Sequence, residues 1–144
     1  MTSLTLNLFR LGALLLLLGA QTTMAQFSEE PVLNVQTSKG ITVSIHSEIA
    51  PLEINRIHSW QLRLTDGQGN SISNAQIELI GGMPEHDHGM PTQPQITAET
   101  ETGSYLLEGM RFHMPGKWLL DIKLTYTVGT EDLIVETTKI EFEL

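Results

Sequence analysis

Two short segments of this 144-residue chain gather the side chains able to hold a soft or borderline metal ion. The first is Met83-Pro84-Glu85-His86-Asp87-His88-Gly89-Met90, and the second is Met110-Arg111-Phe112-His113-Met114. Apart from Met1 and Met24 near the N-terminus, they contain all four remaining methionines and three of the five histidines. Thioether sulphur is a soft ligand suited to Cu(I), whereas imidazole serves Cu(I), Cu(II) and Zn(II) alike. The chain has no cysteine, so no thiolate can take part. The candidate ligands are therefore Met83, His86, His88, Met90, His113 and Met114, and the expected ion is copper, as Cu(I) or Cu(II). Zinc is the alternative, favoured by the hard carboxylates of Glu85 and Asp87.

The spacing sets conditions on such a site. His86 and His88 are two residues apart, which in extended backbone projects both to one side. Met83 and Met90 each precede a proline, which restricts their backbone away from the helical region. One segment cannot complete a coordination sphere, so His113 or Met114 must come from the second to meet the first. Other readings stay open at this point. Met110, Phe112 and Met114 share the parity of Trp118 and Leu120, which marks Met110 as packing and leaves Met114 as packing or ligand. Met83, next to Gly81-Gly82, has a second use as a plug for the end of the fold. His86-Asp87-His88 also reads as a solvated loop. His46 and His58 stand alone in strand-like segments and are expected to be structural or exposed.

The elements that must position these residues are strands. Ile41–Ile45 alternates apolar with polar, and Ile54–Leu64 places Trp60, Leu62 and Leu64 on one face. Asp66-Gly67-Gln68-Gly69-Asn70 is a loop composition. Ala75, Ile77 and Leu79 form a half-buried strand ended by Gly81-Gly82. Gln95–Thr100 and Tyr105–Phe112 follow, with a turn at Thr102-Gly103-Ser104. The alternation of Trp118, Leu120, Ile122, Leu124 and Tyr126 precedes a last strand over Leu133–Phe142. Residues 26–37 read as a loose lead or an edge strand, and Ser47–Arg56 as a connection. About seven short strands without helical periodicity predict an all-β fold, an antiparallel β-sandwich. No glycine-rich phosphate loop or activated nucleophile motif is present, and Asp87-His88 alone makes no triad. A non-enzymatic protein is expected.

Residues 1–25 have the parts of a cleaved export signal: Arg10, the apolar run Leu11–Ala20, and small residues at Thr23 and Ala25. The apolar run is about half the roughly 20 residues that a membrane-spanning helix requires. The expected product is a single periplasmic or secreted domain over residues 26–144, with a retained anchor as the alternative. Removing residues 1–25 takes away Arg10 and no acidic residue, which leaves 7 basic and 17 acidic side chains. Such acidity argues against nucleic acid or an anionic membrane as partner. In an oxidising compartment a free cysteine is an unsafe ligand, so the missing cysteines and the gathered Met and His residues support one another.

From Trp60 to Leu124 the chain resembles the YtkA-like (FixH-related) family. The likeness is carried by Leu64-Thr65-Asp66-Gly67, Ala75-Gln76-Ile77, Met83-Pro84 and His88-Gly89-Met90-Pro91. It continues through Gly103-Ser104-Tyr105, Phe112-His113-Met114-Pro115-Gly116 and Trp118-Leu119-Leu120. The resemblance implies an immunoglobulin-like or cupredoxin-like sandwich and a role near copper handling or the assembly of copper-containing respiratory oxidases. By position it carries over Met83–Met90 and Phe112-His113-Met114, although Glu85-His86-Asp87-His88 is richer in histidine than the family pattern. Two functions follow as expectations. One is a copper-binding protein that sequesters or delivers the ion, with a membrane copper enzyme or transporter as recipient. The other is a metal-independent interaction module or assembly factor for a membrane respiratory oxidase. A metal site requires the two segments to converge, and an interaction rim leaves them splayed.

Overall fold

The computed structural model describes residues 26–128 and 132–144, and the export segment expected over residues 1–25 lies outside them. Nine strands are formed among these residues: β1 (Leu33–Gln36), β2 (Thr42–Ser47), β3 (His58–Thr65), β4 (Gln76–Met83), β5 (His88–Gly89), β6 (Gln95–Glu101), β7 (Ser104–Met110), β8 (Lys117–Val128) and β9 (Asp132–Glu143). A single 3-10 turn spans Pro84–His86. No helix among the described residues is long and apolar enough to cross a membrane. The strands form two sheets, β1-β2-β3-β7-β6 and β5-β4-β8-β9, with antiparallel pairing throughout. The fold is the expected antiparallel β-sandwich.

Alternation explains the layering. In β3 the side chains of Trp60, Leu62 and Leu64 are buried, and in β8 those of Trp118, Leu120, Ile122, Leu124 and Tyr126. The inward faces of the two sheets share one core, closed by Tyr105, Phe112 and Met110. Burial of such large side chains, at roughly 25 cal/mol per Å² of apolar surface removed from water, is the main stabilising contribution in a chain with no disulfide.

Of the two readings open for residues 26–37, the edge strand holds over residues 33–36, paired to β2 from Leu33↔Ile45 to Gln36↔Thr42. Two other stretches differ from the sequence reading. Gly81-Gly82 does not end its strand, because β4 runs on to Met83. The neighbours crowd both positions. A Cβ on Gly81 would meet the Met90 sulphur at 2.5 Å and Leu120 Cδ2 at 2.9 Å, and one on Gly82 would meet the His88 carbonyl oxygen at 3.0 Å. The doublet thus accommodates β5, whose two residues are too few to show periodicity. Further back, strand pairing on β3 begins only at His58, and the stretch from Ile54 to Ile57 belongs to the connection.

Candidate metal centre

The first segment leaves β4 at Met83, makes the 3-10 turn Pro84–His86 and returns as β5, pairing Met83↔His88 and Gly82↔Gly89. Pro84 sits at the start of the turn, where its missing N–H costs nothing. Asp87 closes it in the left-handed conformation at φ 54°, a region that Asp and Asn tolerate better than most residues. Lys117 Nζ reaches Glu85 Oε1 at 3.4 Å, an ion pair exposed on both sides and thus of small energetic weight.

The second segment is anchored more firmly. Phe112 is fully buried, and its carbonyl accepts a hydrogen bond from Asn55 N at 2.6 Å. Arg111 Nη2 donates to Asn55 Oδ1 at 3.2 Å, and Trp118 Nε1 donates to the Met114 carbonyl at 3.1 Å. Gly116 and Leu144 exchange two backbone hydrogen bonds at 2.8 and 3.0 Å, which fixes the turn into β8.

The two segments meet. The rings of His88 and His113 lie 4.8 Å apart between centroids, and those of His86 and His88 lie 5.8 Å apart and nearly parallel. His113 also stands edge-on to the buried Trp118 indole at 5.5 Å. Its Nδ1 is buried and has no hydrogen-bond partner among the described residues. Loss of hydration, with the neighbouring His88 and Arg111 adding to it, holds the His113 imidazole below its ordinary value of 6.5. The shift favours the neutral imidazole, the form that ligates a metal. His86 is exposed and His88 half-buried, and His88 lines an open groove of about 360 Å³ with Gly82, Pro84 and Asp87. As placed, no three His, Asp or Glu side chains among the described residues are arranged to hold an ion.

The methionines divide. Met83 is 1% exposed and Met110 wholly buried, so both sulphurs belong to the core, as expected for Met110. Met83 nevertheless spans the two segments. It pairs with His88 in register, and its methyl lies 3.1 Å from where a Cβ on Gly116 would stand. Met90 packs against Gly81 beside Leu120, and Met114 is half-buried against the core. Neither His46 nor His58 is exposed. His46 Nδ1 bonds the Ser28 carbonyl at 2.8 Å, and His58 Nδ1 bonds the Arg56 carbonyl at 3.0 Å while Nε2 has no partner.

The chain belongs to the YtkA-like family, whose model matches residues 35–123. No curated protein matches it. Among solved structures it is similar to a copper-bound variant of FetP from uropathogenic Escherichia coli, with TM-score 0.49, 10% identity, and coverage of 81% of this chain and 97% of that one.

Proposed function

We propose that this protein binds a copper ion as cargo, for sequestration or delivery, at the rim of the sandwich where His88 meets His113 and His86 lies beside His88. One observation carries the reading: His113, anchored on the β7–β8 turn, has a buried, unpartnered Nδ1, and its ring centroid lies 4.8 Å from that of His88 on a different segment. Buried polar atoms without partners are rare and call for a ligand or another specific cause. Membership of the YtkA-like family supports the same reading.

The donors fit copper. Imidazole ligands place Cu(II) above Zn(II) in the usual order of affinities, and a thioether shifts preference towards Cu(I). Met83 pairs in register with His88, but its sulphur belongs to the core, so the proposed ligands are the imidazoles. The exposed His86 side chain rotates freely and completes the sphere by turning towards His88, since rotamer changes of exposed residues take picoseconds to nanoseconds. An ion held by one fixed and two accessible imidazoles is open to a recipient. Export of residues 26–144 to the periplasm places this binding where thiols are unsafe ligands.

Titration of the purified domain with Cu(II), and with Cu(I) under ascorbate, tests the proposal by mass spectrometry and absorbance. One equivalent is expected to bind, and the double substitution His86→Ala with His88→Ala is expected to abolish uptake. Failure to bind either ion at high micromolar concentration would overturn it.

A further inference from the structure

We infer that Met90 is a positioning residue for His88 and not a metal ligand, and that Gly81 is the socket in which it is pinned. The inference rests on the copper-binding reading for its consequence, but its geometry stands without it. β5 has two residues and two paired positions, supplemented by the bond from Met90 N to the Gly81 carbonyl at 3.0 Å. So short an edge strand, following an exposed turn, has little backbone pairing to fix its register.

Side-chain packing supplies the missing constraint. Met90 directly follows β5 and continues its pairing through the bond to Gly81, so His88 and Met90, two residues apart in extended backbone, face the same side, the side that Met83 and Gly81 face on β4. Where Gly81 lacks a side chain, Met90 fills the space: its sulphur and Cγ lie 2.5 and 2.8 Å from the position a Cβ would take. Leu120 of β8 closes the same space at 2.9 Å. Met90, half-buried, thus occupies the space over Gly81 of β4 beside Leu120 of β8. Gly82, one residue on, lets the His88–Gly89 backbone approach to 3.0–3.4 Å of its own missing Cβ. The pair of glycines and the methionine form a lock for β5, and the lock sets where His88 stands relative to His113.

The chemistry of the lock differs from that of a ligand. A pin depends on shape and apolarity, so an isosteric hydrophobic residue replaces it. A sulphur ligand is not replaced by a hydrocarbon. Met90→Leu is therefore expected to keep copper affinity within about threefold, whereas Met90→Ala is expected to weaken it by roughly tenfold or more. In the metal-free protein, Met90→Ala is expected to speed hydrogen exchange of the residue-90 amide by about tenfold or more, and Met90→Leu is not. Gly81→Ala, which fills the socket, should act like Met90→Ala in both measurements.

Hydrogen exchange in the absence of metal and copper titration, applied to Met90→Leu, Met90→Ala and Gly81→Ala, test the inference together. Loss of affinity in Met90→Leu equal to that in Met90→Ala would make the sulphur a ligand and overturn it. Unchanged exchange at residue 90 in Met90→Ala would also overturn it, because nothing would then be pinned. If no form of the protein bound copper, the copper-binding reading would fail while the exchange data still decided the lock. Circular dichroism establishes that each variant is folded, and should Gly81→Ala not fold, the two Met90 variants suffice.

Discussion

At the end of the sandwich where β7 begins, the Tyr105 hydroxyl donates to the Ile72 carbonyl at 2.7 Å and accepts from Ala75 N at 2.9 Å. Nearby, the Tyr126 hydroxyl donates to the buried Glu136 carboxylate at 2.7 Å, and Asp66 accepts from Gln68 N, Asn70 N and Asn70 Nδ2. At the end where β7 finishes, His58 Nε2, Trp60 Nε1, Thr92 Oγ1, Arg111 Nε and His113 Nδ1 are buried without partners among the described residues. Only Ser104 Oγ shares that condition at the first end. Leaving such a group unsatisfied costs about 1–3 kcal/mol. Departures from local consistency are expected at functional sites. The polar groups of the first end are thus largely satisfied, and the second end, where the proposed copper site lies, holds most of the unpartnered ones.

The largest test of this contrast is at the floor of the proposed copper site. Trp118→Ala removes the ring packed on Phe112 and His113 and is expected to cost about 3–5 kcal/mol in urea denaturation, because a large cavity opens in the core. Copper affinity should fall with it, since His113 loses its support. At the other end, Tyr126→Phe leaves the Glu136 carboxylate, at 7% exposure, short of a donor. That is expected to cost about 1–3 kcal/mol with copper affinity unchanged; a matching loss of affinity would break the contrast between the ends. The tyrosine's own ionisation, pushed up to about 12 mainly by burial, lies outside the working range.

A third test uses pH. Burial holds His58 below its ordinary value, against the opposing effects of the Arg56 carbonyl and of Glu48 and Glu53, and His113 is lowered as well. The unfolded chain accepts protons at these residues near pH 6.5 while the native protein still refuses them. The contribution of these two groups to the stability of the metal-free protein is thus fully present above that pH and is lost as pH falls from there through their lower native values. Denaturation curves at pH 7.5 and 5.5 should show the drop, and His58→Phe should reduce it; equal stability at the two values would contradict the assignment. The smallest effect is expected at the surface. Lys117→Ala breaks the exposed pair with Glu85 and should change stability by less than about 0.5 kcal/mol.

The sandwich was legible because its strands alternate cleanly, and Trp60–Leu64 and Trp118–Tyr126 mark both inner faces. The pairing of His88 with His113 was legible only as a requirement, since nothing in the spacing of two distant segments fixes where a turn folds back. Gly81-Gly82 misled as a strand end because glycine marks both a break and a close approach, and only the positions of Met90 and His88 distinguish them. The burial of His58 was hidden for a related reason. Its environment of Trp60, Phe112 and Met110 comes from β3, β7 and the turn after β7, and no local pattern reports it.

The central claim is tested most directly by adding Cu(II) stepwise to isotope-labelled protein and following side-chain and amide resonances. With one equivalent, paramagnetic broadening should erase the signals of His86, His88 and His113 and the Trp118 indole while those of Tyr105, Asp66 and Tyr126 persist. Broadening centred on Asp66 and Tyr126, or none at all, would contradict the account.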